Sequence, residues 1–446
     1  MASRVLISLI SLVLLCITTT QGRKTLYTTN DFSTFSPVTG DGICKTLVEP
    51  QGYPCEEHKV TTEDGYILSL QRIPTGRSDK KADKPPVLIQ HGLFCDAAIW
   101  LFNSPEESLG FILADIGFDV WLVNGRGTKY STMHTSLNPN EMVCVLYNIQ
   151  NICNISISSN FQYLIAYWNW SWDELASYDL PASVQYVYNN TGKKIHYTGH
   201  SQGTLIAFVA LSQGKLLNML RSAALLSPIA HMNLVPPGIT KVAADLFLAN
   251  ECCTKTCGEH LRQSIPQLCK QPIAIIHRYL DVNNVMMRKL KLIYMYKYLL
   301  PQLLIIFLGP NCCINSSKIH FYLDHEPNPT STKNLIHFSQ MIRTGKIAKY
   351  DYVNAAQNIQ HYGQRVPPTY DMTKISSEFP LFLGYGGNDF LSDVQDVKVL
   401  LNDLSDQDAN KRVVLFKDDY AHADFIAGDN AKQVVYDPII AFFNSH

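Results

Sequence analysis

Six short apolar runs punctuate the chain, each bounded by turn residues: 86–91, 118–124, 194–198, 222–226, 380–385 and 412–416. Continuous rather than alternating hydrophobicity predicts strands covered on both faces, the pattern of a buried parallel sheet. Helix-length segments lie between most of them, among them one beginning at Pro181 and one running from Gly203 to Gln213. This alternation predicts an α/β fold, a mostly parallel sheet with helices on both faces. The rhythm breaks once. From 231 to 374 the chain is helical in character, carries cysteines and is rich in long apolar side chains. It reads as a helical cap inserted over the carboxyl ends of the strands, where open α/β sheets bind their ligands. The expected organisation is therefore a core in two parts, 23–230 and 375–446, with a cap or lid at 231–374 between them. Inside the cap the strongly apolar run 298–308 spans 11 residues. That is too short to cross a bilayer, and it reads as a buried cap helix rather than a lipid-touching lid surface.

The amino terminus changes the expected compartment. Arg4 precedes an apolar stretch at 5–17, followed by small and polar residues up to Gly22, so that 1–22 reads as a cleaved secretory signal. Cleavage leaves 11 of the 12 cysteines in the mature chain, in a compartment where disulfides persist. Cys44 and Cys55 are close enough in sequence to close a small loop. Cys252, Cys253, Cys257, Cys269, Cys312 and Cys313 form a second group whose pairing the sequence leaves open. The adjacent pairs lack the spacing of a zinc site, and no metal is expected. Sequons stand at Asn154, Asn169, Asn189 and Asn315; Asn169, set among tryptophans, is expected to be buried and unmodified. With 37 basic and 38 acidic residues the net charge is −1, which offers no electrostatic footprint for nucleic acid. Composition, at 46% hydrophobic and 17% charged, is that of an ordinary globular protein.

The chemistry is concentrated in three places. Gly199-His200-Ser201-Gln202-Gly203 is a G-x-S-x-G motif with an apolar strand before it and a helix-forming run after it. In that context a sharp strand-to-helix turn exposes the serine, and larger residues than glycine would collide beside it. A nucleophilic serine needs a base and an orienting acid, which follow in the order acid then histidine on this scaffold. Asp389 follows a strand through Gly386-Gly387-Asn388, and His422 follows the last strand in Asp419-Tyr420-Ala421-His422. Asp393, Asp419 and Asp424 compete as acids, but none directly follows a strand through a glycine turn. For the oxyanion, the expected donors are the backbone N–H groups of Gln202 and of Leu93, in the His91-Gly92-Leu93-Phe94 loop. No organic cofactor is implied.

Together these residues resemble the acid lipase family of α/β-hydrolases, which includes gastric and lysosomal acid lipases and related plant triacylglycerol lipases. The resemblance runs over nearly the whole mature chain. It is carried by Glu57 to Tyr66, His91-Gly92-Leu93, Asp119 to Gly127, Trp170 to Leu175, Tyr178 to Ala182, Gly199 to Gly203, Tyr385 to Asp389 and Asp419 to His422. It implies an α/β-hydrolase fold and hydrolysis of acyl esters in triacylglycerols or steryl esters at a lipid–water interface. It also implies a secreted, vacuolar or lysosomal destination, with Ser201, Asp389 and His422 as triad and Leu93 and Gln202 as oxyanion donors. A ligand-binding protein on the same scaffold, or an acyltransferase, remains a rival. One stretch departs from the family pattern. Residues 143–165 contain no Asp, Glu, Lys or Arg but five Ile and four Asn, and stand where the family's chain runs almost directly on. The stretch reads as an unspliced intron translated in frame.

Overall fold

The computed structural model describes residues 41–78, 82–137, 139, 166–235 and 307–446. The signal segment, the stretch 143–165 and most of the run 298–308 lie outside these residues, as do four of the six cysteines of the second group. Among the described residues, nine strands form one sheet: β1 (Glu56–Thr61), β2 (Tyr66–Ile73), β3 (Pro86–Gln90), β4 (Asp119–Val123), β5 (Met133–His134), β6 (Ile195–His200), β7 (Leu220–Leu226), β8 (Leu381–Gly386) and β9 (Arg412–Lys417). The order is β1-β2-β4-β3-β6-β7-β8-β9, with β5 beside β2. From β4 to β9 every pair is parallel, and only β1, β2 and β5 run antiparallel to their neighbours. All six predicted runs form strands, with ends shifted by no more than two residues.

The β1–β2 pair was absent from the predicted set. Its signal is of a different kind: Asp64-Gly65 forms the turn, and β2 alternates buried and half-buried positions instead of running continuously apolar. β9 departs from expectation in the other sense. It was predicted as a buried strand, but it lies at the sheet edge with Val413, Val414 and Phe416 40%, 42% and 45% exposed. Apolar composition alone does not distinguish a central parallel strand from an edge strand.

Among the described residues, the α-helices of seven or more residues are α1 (Leu109–Asp115), α2 (Leu180–Thr191), α3 (Gln202–Ser212), α4 (Ile319–His325), α5 (Thr332–Thr344), α6 (Ala355–Tyr362), α7 (Val394–Asp403) and α8 (Asp437–Ser445). Strand residues alternate between two cores. Val87, Ile89, Val120 and Leu122 pack on one face with α1 and α8, while Leu88, Trp121 and Val123 pack on the other with α2 and α3. This two-sided burial is why the central strands read as unbroken apolar runs. α4, α5 and α6 all fall between β7 and β8, inside the predicted insertion, of which 236–306 lie outside the described residues. Among the described residues, no helix is long and apolar enough to cross a membrane.

Cys44 and Cys55 are joined, as expected, and Cys312 is bonded to its neighbour Cys313. Asn169 corrects a prediction: it is exposed although Trp170 next to it and Trp172 beyond are buried and Trp168 before it is half-buried, because the tryptophan rings turn inwards while the asparagine turns out.

Candidate active site

Ser201 sits between β6, buried throughout, and α3, buried for ten of its eleven residues. Its backbone is at φ 54°, ψ −120°, a left-handed conformation that side-chain-bearing residues rarely hold. Hydrogen bonds at both sides fix it: Ser201 N–H donates to the Leu226 carbonyl (3.0 Å), and Thr204 N–H to the Ser201 carbonyl (2.8 Å). The motif glycines are required by contact. A Cβ on Gly199 would stand 2.8 Å from the backbone of Gly203, and one on Gly203 would stand 2.8 Å from the Gln90 carbonyl oxygen. Gly92 lies over the serine itself, where a Cβ would meet Ser201 Cβ at 2.9 Å. The serine is 8% exposed, at the N-terminus of an 11-residue helix whose dipole favours negative charge there.

His422 and Asp389 come together from loops following β9 and β8. His422 Nδ1 lies 3.0 Å from both carboxylate oxygens of Asp389, and both side chains are almost wholly buried. With Nδ1–H donated to the carboxylate, Nε2 is left as the acceptor. Burial would push the Asp389 carboxyl up. The His422 charge and hydrogen bond, with the Ser392 and Leu391 amides, outweigh it and hold the group below the usual carboxylate range. His200, adjacent to the serine, donates from Nε2 to the His422 carbonyl (2.9 Å), and the two rings are 4.8 Å apart. Burial drives His200 down to about 3, so it serves as a neutral donor. Two glycines let the acid and histidine loops meet: a Cβ on Gly386 or Gly387 would overlap the carbonyl oxygens of Tyr420 and Asp418.

The competing acids are engaged elsewhere. Asp393 caps α7, Asp419 is exposed near Lys417, and Asp424 accepts backbone N–H groups from Ala421, Cys312 and Cys313 at 2.7, 3.1 and 3.0 Å. Among the described residues, Cys312, Cys313 and Asp424 also form the one grouping with metal-ligand proximity. Its sulfurs are bonded to each other and its carboxylate is occupied by amides, so the donor set does not fit a cation.

Leu93 and Gln202 line one small cavity, with Gly92, Arg126, Trp170 and Thr330. The loop carrying Leu93 is held at its base by His91, whose Nε2 accepts the Gly125 N–H (2.9 Å) while Nδ1 donates to the Gly92 carbonyl (2.8 Å). His91 thus ties the exits of β3 and β4 together. Arg126, fully buried in the β4 exit loop, bridges Asp179 and Asp64 and lies over the Tyr66 ring. Sequence reading did not foresee the support given by His200 and Asp424. Asp424 stands two residues from His422, where the sequence offers it only as a rival acid; His200 lies inside the G-x-S-x-G motif, at a position the motif leaves free.

The amino-acid sequence matches two family models, "Partial alpha/beta-hydrolase lipase region" over residues 44–104 and "alpha/beta hydrolase fold" over residues 85–247. It is 42% identical to Triacylglycerol lipase 2 of Arabidopsis thaliana, over 90% of this chain and 87% of that protein. Identity to Gastric triacylglycerol lipase of Rattus norvegicus is 33%, over 87% and 88%. Lysosomal acid lipase/cholesteryl ester hydrolase of Homo sapiens is 34% identical, over 90% and 93%. A strained G-x-S-x-G turn between strand and helix on a mostly parallel sheet, with identity of this extent, places the chain in the acid lipase family of α/β-hydrolases, a family of carboxylic ester hydrolases.

Proposed function

We propose that this protein is a secretory-pathway serine lipase that hydrolyses acyl esters of neutral lipids, triacylglycerols first and steryl esters second. The observation that carries the reading is the pairing of His422 with Asp389 beside the strained elbow of Ser201. Ser201 Oγ attacks the ester carbonyl carbon while His422 Nε2 takes its proton. The carbonyl oxygen becomes an oxyanion held by the N–H groups of Leu93 and Gln202. The tetrahedral centre collapses, the bond to the alcohol oxygen breaks, and His422 returns the proton to the departing alcohol. Water, deprotonated by the same imidazole, then attacks the acyl-enzyme and releases the fatty acid and Ser201. Asp389 stays ionised throughout, orienting the ring and stabilising the imidazolium.

Triacylglycerol and cholesteryl ester hydrolysis by the purified protein tests the reading, with Ser201→Ala as control and with forms that include or lack residues 143–165. Long-chain hydrolysis that disappears in Ser201→Ala is the expected result. If residues 143–165 are translated intron, only the shortened form turns over and mature messenger RNA lacks their 69 nucleotides (three for each of 23 residues). A peptide from this stretch in the native protein would refute the intron reading. Absence of turnover in both folded forms would move the assignment to a binding role.

A further inference from the structure

Residues 326–334, returning towards β8, touch both walls of the cavity that Leu93 and Gln202 line. On the Leu93 side, Asn328 N–H donates to the Phe94 carbonyl (2.7 Å), and Glu326 Oε1 accepts the Asp96 N–H (3.0 Å). These two bonds bracket a loop that needs external support, because Phe94 is held at φ 62°. Asn328, 2% exposed, is itself fixed twice. Its Nδ2 donates to Glu326 Oε2 (2.5 Å), and its Oδ1 accepts the Lys129 N–H (3.0 Å). On the Gln202 side, fully buried Asn334 donates from Nδ2 to Gln202 Oε1 (2.8 Å) and Thr330 Oγ1 (3.1 Å), while its Oδ1 accepts the Trp172 N–H (2.8 Å). Pro329 and Thr330, between the two sets of bonds, line the cavity as well.

We propose that residues 326–334 form the template of the oxyanion hole, with Glu326 and Asn328 positioning the Leu93 amide and Asn334 positioning Gln202. The inference rests on the reading of these two amides as oxyanion donors. Donor hydrogen bonds stabilise a developing oxyanion only when already aimed at its position, so a template that fixes two separate loops acts on turnover more than on substrate binding. None of the three residues takes part in proton transfer. They are positioning residues. Burial, with the Asp96 charge beside it, pushes the Glu326 carboxyl well above its usual range, which makes neutral glutamine the conservative replacement. Glutamine also keeps an oxygen for the Asp96 amide.

Steady-state hydrolysis of water-soluble p-nitrophenyl butyrate, normalised to folded protein, tests the proposal together with inhibition by an alkyl trifluoromethyl ketone that mimics the tetrahedral intermediate. Glu326→Ala and Asn334→Ala are expected to lower kcat about 10- to 100-fold with KM within about threefold, less than the 10²–10³ typical of removing a donor outright. The inhibition constant for the ketone should rise by the same factor, and Glu326→Gln should recover part of the loss. Should the alanine variants fail to fold, Asn334→Asp keeps the acceptor for Trp172 while removing the donor to Gln202, and must show the same kcat-specific loss. Unchanged kcat in folded variants, or a loss carried by KM with ketone inhibition unmoved, would overturn the template alone. Turnover persisting in Ser201→Ala would overturn the underlying hydrolase mechanism, and the template with it.

Discussion

The serine side of the site and the histidine side are built by opposite means. Ser201 is held mainly by its own neighbourhood, five consecutive residues with two glycines facing each other and the strand and helix that flank them, to which distant segments add the Leu226 carbonyl and the close approach of Gln90 and Gly92. His422 is held from far along the chain. Its ring is fixed by Asp389, its N–H donates to the Leu308 carbonyl, and its carbonyl accepts from His200 and Ser227. The adjoining Ala421 N–H ends on Asp424, which also gathers the amides of Cys312 and Cys313. Steric exclusion over a few residues leaves a short, readable motif. Long-range hydrogen bonds to backbone atoms leave almost none, because any residue can supply an amide or carbonyl.

The sharpest challenge to this contrast is Asp389→Asn. Its amide would donate where the carboxylate accepts and would favour the wrong tautomer of His422, so kcat should fall about 10⁴-fold, worth about 5 kcal/mol in the transition state, with the fold retained. Circular dichroism and single-turnover kinetics together read this. Gly203→Ala attacks the other side through sterics. The new methyl group meets two backbone oxygens of the β3 exit that cannot swing away, and urea denaturation should show a loss of about 3 kcal/mol. Asp424→Ala leaves three backbone N–H groups without their acceptor. A loss of about 2 kcal/mol is expected, with lower kcat from a loosened His422 loop, and Asp424→Asn should restore part of both. If Asp424→Ala changed stability but left kcat untouched, the placement of His422 would not depend on these distant contacts.

The smallest effect concerns Asp396 on α7, which accepts the Leu234 N–H where the chain leaves β7. Burial pushes its carboxyl up to about 6, against the pull of that amide. A raised carboxyl means that the folded protein holds the proton more tightly than the unfolded chain. Stability contributed by the neutral form is therefore complete at low pH and declines as pH rises through about 6. Asp396→Asn should raise stability by about 1 kcal/mol at pH 7.5, and its advantage over the parent protein should vanish near pH 4. Thermal melts across that range check the sign.

Legibility followed the range of the forces involved. Five of the six apolar runs marked central strands because two-sided burial demands mostly apolar residues along them, and the G-x-S-x-G turn was marked by glycines that contact forces. β1 and β2 were overlooked because their alternation is a different signal from the one used for the central strands. The edge position of β9 was hidden because a strand of the same composition can sit at the centre or at the rim. Glu326, Asn328 and Asn334 gave no sign of their contacts, since a polar residue in a loop looks the same whether it faces water or a distant loop.

By itself, the sequence determined the alternation of strands and helices, the G-x-S-x-G turn between a strand and a helix, and the order of Ser201, Asp389 and His422 along the chain. The first two are consequences of burial period and local sterics, which act between near neighbours. Tertiary structure decided how each carboxylate near His422 is engaged: Asp389 meets the imidazole, as the glycine turn before it had suggested, while Asp424 is taken by the backbone amides of the distant Cys312 and Cys313. It also decided that one segment, 326–334, reaches both walls of the cavity beside Ser201, since only packing brings Asp96, Phe94 and Gln202 within hydrogen-bonding range of it.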